Sequence, residues 1–208
     1  LGENIYLREN SIYTIVDGPS WTEAEANANK LGGHLVTIND KEEYNWGSNH
    51  VWSSENYIAN GHSGDTWGYV GFNDQTNEGN YEWSSGEESD WDNLSDLIHP
   101  QNWSYQKGHF DSWDYGIIDN DSDWIDELYD DYYPSGVVNN RGQIVLMDDD
   151  ASFYRNYGQP IAGIAETPFI RRGDSAYVIV EGPTWEEAEA NANKLGGHLV
   201  TINDADEN

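Results

Sequence analysis

Twenty-two consecutive residues of this chain occur twice. Residues 19–40 read PSWTEAEANANKLGGHLVTIND and residues 183–204 read PTWEEAEANANKLGGHLVTIND, differing at two positions only. Trp21 and Trp185 lie 164 residues apart, and a weaker likeness upstream pairs Tyr13 to Gly18 with Tyr177 to Gly182. Solenoid units repeat every ~20–50 residues, so a period this long is a whole domain. The chain is therefore read as one complete unit over residues 1–168 and the first part of a second unit, strand–helix–strand, over residues 169–208.

The repeated segment carries its own structural punctuation. Tyr13 and Ile15, like Tyr177 and Ile179, alternate with their neighbours as strand residues do. Asp17, Gly18 and Pro19 make a turn. Ser20 with Glu23, and Thr184 with Glu187, are capping boxes that open a helix. Trp21, Ala24, Ala28 and Leu31 form one apolar face of that helix, and Gly32–Gly33 ends it, because glycine takes the left-handed conformation freely. His34 to Ile38 predicts a short strand, and Asp40 starts a second helix bearing Tyr44 and Trp46. Beyond Trp52 the helical period fades. Residues 67–72, 81–83, 115–118, 142–147 and 161–165 read as short strands, and 87–135 is a long acidic stretch studded with Trp and Tyr. Two early helices followed by many short strands make an α+β unit. A loop region of that length in a compact domain is usually functional or ion-bound.

The charge restricts the partners. Thirty-nine Asp and Glu against nine Lys and Arg leave a formal charge of −30, which strains any compact state that lacks counterions. Nucleic acid is excluded, since neutralising phosphates needs a basic face; anionic membrane surfaces are excluded on the same ground. No stretch approaches the ~20 apolar residues of a membrane helix, so no membrane insertion is expected. The acids are spread through aromatic-rich sequence, not blocked into a tail. That leaves a solvated salt-tolerant surface or divalent-cation sites, and the reading favours calcium. With no cysteine there is no disulfide framework, thiol nucleophile or zinc–thiolate site. Met147 is the only methionine, so the chain is expected to be a piece of a longer protein.

An ordered set of motifs points to a family. The run from Trp21 through Ala24 to LGGHLVTI at residues 31–38 is followed by WGYVGFND at residues 67–74, then by Glu78–Gly79 and by WSSG at residues 83–86. Asp114 to Ile118, Trp124 to Asp126 and Gly163 to Glu166 then come in the same order. Over residues 5–168 this resembles the C-type lectin-like domain, in the disulfide-free form strung along large microbial surface proteins. The resemblance implies calcium sites in the long loop region. Asp74 and Glu78, with Asp114 ahead of its strand, match three ligands of the structural calcium site. Asn73 stands beside them as a further oxygen donor, and hard oxygen ligands on a flexible loop are what Ca²⁺ prefers. The plainer alternative is that residues 73–80 form a polar turn.

The sugar-binding calcium site is matched poorly. His99-Pro100-Gln101 is the nearest run to the family's triplet, Trp113 stands where an acid is usual, and in Trp124-Ile125-Asp126 only Asp126 survives as a ligand. A further site found in some members would use Asp40, Glu43 and Glu166; their plainer role is a favourable helix first turn. Arg172-Gly173-Asp174 aligns with Arg8-Glu9-Asn10 and reads as a turn before a strand. The acceptor patterns at Asn93, Asn102 and Asn120 are expected to be unused. No Ser–His–Asp pattern stands out and the adjacent acids 148–150 do not form a hydrolytic pair, so no enzyme is expected. The expectation is an extracellular or cell-surface, calcium-stabilised module of a tandem array, with adhesion or a structural layer or filament as its work. The alternative is a calcium-dependent lectin whose partners are glycans. Residues 169–208, if ordered, are expected to dock end to end on a preceding unit or neighbouring molecule that covers Trp185.

Overall fold

The structure, a computed structural model, describes residues 4–52, 67–76, 81–88, 115–119, 143–147 and 162–203, with backbone only at 67, 115–119 and 143–147. Strands β1 (Ile5–Arg8) and β2 (Ser11–Asp17) form a hairpin, Tyr6 opposite Tyr13. Helix α1 (Trp21–Lys30) follows, then β3 (His34–Leu35) and helix α2 (Lys41–His50). Strands β4 (Trp67–Asn73), β5 (Glu82–Trp83), β6 (Tyr115–Asp119), β7 (Gln143–Met147) and β8 (Ala162–Pro168) complete a sheet of eight strands among the described residues. Its order is β1-β2-β8-β4-β6-β7, with β3 paired to β8 and β5 to β4. The unit is α+β, as the strand and helix patterns predict.

Strand β8 holds the unit together. It runs antiparallel to all seven residues of β2, from Ser11 opposite Pro168 to Asp17 opposite Ala162, and parallel to β4 at Gly68 and Tyr69. The early strand and the late one thus share a ladder across some 150 residues of chain. The predicted strand at 34–38 is regular only at His34–Leu35. Val36 instead divides its backbone, donating to Ile164 O at 2.7 Å and accepting from Gly71 N at 2.9 Å. It therefore bridges β8 and β4 without forming a continuous ladder with either.

Helix α1 forms as its caps dictate. The Ser20 hydroxyl accepts from Glu23 N at 3.3 Å and donates to the Glu23 carboxylate at 3.0 Å, and Gly32 leaves the helix at φ +82°. Trp21, Ala24, Ala28 and Leu31 are all buried, in one cluster with Val16, Leu35, Tyr69 and Ala165. The Trp21 indole donates to Val70 O at 2.8 Å, so the one polar atom of this ring is satisfied inside the core. A second cluster packs Tyr13, Val36, Ile38 and Ile164 with Trp52, Phe72 and Trp83.

The second copy repeats many of the local bonds of the first. Strands β9 (Ile170–Arg172) and β10 (Ser175–Tyr177) pair as β1 and β2 do, and helix α3 (Trp185–Lys194) matches α1. Arg172-Gly173-Asp174 is the hairpin turn; Gly173 has φ +59°, and its counterpart Glu9 has φ +53°. Asn27 donates to Asp17 O at 2.7 Å and Asn191 to Glu181 O at 2.8 Å. Glu25 accepts from Leu35 N at 2.8 Å and Glu189 from Leu199 N at 2.8 Å. What differs is burial: Trp21 is 4% exposed and Trp185 67%. Within the chain, the preceding unit does not cover Trp185. Helix α3 buries Asn191 and Ala192 instead, and Leu195, which caps it, is buried too. Ile179, predicted within a strand, lies outside β10 and is exposed. Among the described residues no strand stands to this segment as β8 stands to β2.

Candidate functional site

Two places bring sequence-predicted residues into the structure. The first is the end of β4. Asn73 ends that strand and Asp74 follows it, both buried, with Asp74 only 2% exposed. The Asn73 side-chain amide donates to Gly71 O at 3.1 Å and Glu82 O at 3.3 Å, while its oxygen accepts from Gln75 N at 3.2 Å. Asn73 thus pins the turn that follows β4 to the β5 strand. Antiparallel pairing sets Asn73 opposite Tyr115, after a register shift between Tyr69 and Asn73. The start of β6 therefore lies beside the end of β4. Glu78, Asp114 and Asp126, like the sugar-site triplets and the three acceptor asparagines, lie outside the described residues. Among the described residues no group of three or more His, Asp and Glu is placed to hold a metal ion.

The second place is the N-terminus of α2. Asp40 caps that helix, one carboxylate oxygen accepting from Glu43 N at 2.7 Å. Glu43, 1% exposed, turns back to accept from Asn39 N at 2.9 Å. The Tyr13 hydroxyl lies 2.5 Å from Glu43 Oε1 and 3.2 Å from Glu166 Oε1, and Thr37 N donates to Glu166 Oε2 at 3.4 Å. The strand and helix pattern thus gathers Asp40, Glu43 and Glu166 at one corner, joined by a tyrosine.

One phenol carries one proton, and the shorter partner, Glu43, takes it. Burial, followed by the charge of Glu43, raises the Glu166 pKa above the usual carboxylate range. Burial and the two neighbouring carboxylates push the Tyr13 phenol upward, so it stays a donor. Positive charge comes from Arg8, whose guanidinium lies 3.9 Å from Glu43 and 4.0 Å from Asp40. The corner is therefore answered internally by Arg8 and Tyr13, and a cation placed there would have to compete with them.

Sequence reasoning missed Tyr13, Arg8 and Glu25 as site-building residues. Glu25 accepts from both Leu35 N and the Ser84 hydroxyl, tying α1 to the β3 and β5 region. Its recurrence as Glu189 at the same helical position was the available signal. Tyr13 and Arg8 gave none, because their partners lie far away in sequence.

No curated protein matches the chain by sequence. The lectin C-type domain matches residues 17–127, more than half of the chain. Among solved structures, the fold is similar to the mouse scavenger receptor C-type lectin carbohydrate-recognition domain, at 14% identity and a TM-score of 0.50, covering 81% of this chain and 98% of that one. It is similar also to human lithostathine, at 9% identity and a TM-score of 0.51, covering 81% of this chain and 90% of that one. At such identities the structural likeness is one of fold, and the sequence match supplies the family. This chain, folded without a cysteine, belongs to the C-type lectin domain family.

Proposed function

We propose that the unit is a non-enzymatic, extracellular, calcium-stabilised interaction module of a tandem array, serving adhesion or the building of a surface layer or filament. The observation that carries this is the carboxylate of Asp74, buried where the end of β4 meets the start of β6, in a chain of charge −30. Ca²⁺ takes six to eight hard oxygen ligands from loops of this kind. Asp74, Glu78 and Asp114 would hold the ion, with Asn73 and Asp126 as further oxygen donors. The register that sets Asn73 opposite Tyr115 supports that grouping, since Asp114 immediately precedes Tyr115. Residues 169–208 are the start of a second unit, and neighbouring repeats are the partners.

Thermal melting in calcium and in chelator tests the reading. Calcium at a hundredfold excess over its Kd stabilises by about 2.7 kcal/mol, which is about 5–10 °C for a domain of this size. A melt that chelator leaves unchanged contradicts it. The second reading, a calcium-dependent lectin, is favoured by the family and by the carbohydrate-recognition domain among its structural neighbours. The weak match of His99-Pro100-Gln101 and Trp124-Ile125-Asp126 to the sugar-site pattern favours the first. A glycan array probed with and without chelator separates them: chelator-sensitive binding selects the lectin.

A further inference from the structure

We propose that the C-terminal end of helix α1, residues 30–33, is a docking surface for the following copy of the repeat, and that it fixes successive copies in a rigid orientation. The inference rests on reading residues 169–203 as the start of a second copy. It adds the surface on which that copy sits.

The carbonyls of a helix's last turn lack intrahelical donors. That of Lys30 is satisfied by the second copy, accepting from Glu181 N at 2.9 Å. The next residues are shaped for close approach. Gly32 has φ +82°, and a Cβ there would overlap the carbonyl oxygen of Ile179 and come within 3.3 Å of Val178 Cγ1. Val178 and Val180 pack, partly buried, against the cluster that contains Ala28 and Leu31 of the first copy, and Leu195 of α3 is buried in that same cluster. The connecting segment is anchored at its other end too, for Phe169 is buried and its N donates to Asn10 O at 2.8 Å. Two anchors 12 residues apart, one at the β1–β2 turn and one at the α1 end, leave the joint little freedom.

The surface is also regenerated. Helix α3 ends at Lys194 and is followed by Leu195, Gly196 and Gly197, the same four residues in the same order as at the end of α1, with Gly196 at φ +74°. A further copy would meet there the surface that the second copy meets on the first. Such a head-to-tail contact extends a line of copies wherever its rotation does not close a ring.

Amide hydrogen exchange on the intact 208-residue chain tests the joint. The Glu181 amide should exchange at least ~10-fold more slowly than an unstructured amide, because exchange there requires the joint to open. Gly32→Ala should bring it to within about twofold of the unstructured rate, while the amides of Val36, Gly71 and Ser84, bonded within the first copy, stay protected. Gly196→Ala imposes the same backbone strain on the equivalent helix end and should leave Glu181 protected. An unprotected Glu181 in the parent chain, or equal effects of the two variants, overturns the proposal. None of these bonds involves the proposed calcium ligands, so the pattern is the same in chelator. A failed joint therefore reads differently from a failed calcium site, which would show as an unchanged melt.

Discussion

Replacing Trp21 and Trp185 by alanine, one at a time, separates what local sequence does from what burial does. The two residues open helices of nearly identical sequence, each one position after a side-chain cap. Any change in helix propensity, about 0.5 kcal/mol in favour of alanine, is therefore common to both. Trp21 is 4% exposed within the core and donates to Val70 O; Trp185 is 67% exposed. Removing a buried Trp costs about 3–5 kcal/mol in transfer and cavity terms. Removing an exposed one costs within about 0.5 kcal/mol. With a urea m-value of about 2 kcal/mol per molar, Trp21→Ala lowers the midpoint by about 1.5–2.5 M, and Trp185→Ala by no more than about 0.25 M. Urea titration followed by far-UV circular dichroism reads both. Trp21→Phe, which keeps an aromatic ring but orphans the buried Val70 carbonyl, should fall between them, at about 1–3 kcal/mol. Equal losses at Trp21 and Trp185 would refute the assignment of stability to the first copy's core.

The raised pKa of Glu166 predicts a pH dependence in chelator-treated protein. The folded pKa lies above the unfolded value of about 4.3, so the stabilising contribution is full below that value and lost as pH rises through the folded pKa. Glu166→Gln should flatten that decline in melts taken from about pH 4 upward; an unchanged slope assigns it elsewhere. Gly163→Ala would bring a Cβ to 2.5 Å from Leu35 Cδ2, 2.8 Å from Ala24 Cβ and 3.0 Å from Val16 Cγ2. It should cost about 1–3 kcal/mol by overpacking, measurable in the same urea titration, and a neutral outcome would show that β8 can withdraw from α1.

What was legible in the sequence was what is local. The capping boxes at Ser20 and Thr184 and the stripe Trp21, Ala24, Ala28, Leu31 need nothing beyond ten residues of chain, and both copies form them alike. Strand β1 was not predicted, although the turn at Arg8-Glu9-Asn10 was; Glu9 sits there at positive φ, as Gly173 does at the matching place in the second copy. The corner at α2 was legible as three acids. Its linking residues were not, because Tyr13 meets Glu43 across 30 positions and Glu166 across 153. Likewise Val36 looked like a strand residue, yet its backbone is divided between Ile164 and Gly71, a choice made by two distant strands. Asn73 was read as a metal ligand or as a turn residue, and its amide is seen tying Gly71, Gln75 and Glu82 together.

The central claim is that calcium answers the acids at the end of β4, and direct titration of the ion tests it. Ca²⁺ is titrated calorimetrically into chelator-stripped protein, first the parent chain and then the Asp74→Asn, Glu78→Gln double variant. Saturable binding by the parent, weakened at least ~10-fold in the variant, equivalent to about 1.4 kcal/mol, is the predicted result. No saturable binding by the parent, or the same affinity in the variant, would contradict it.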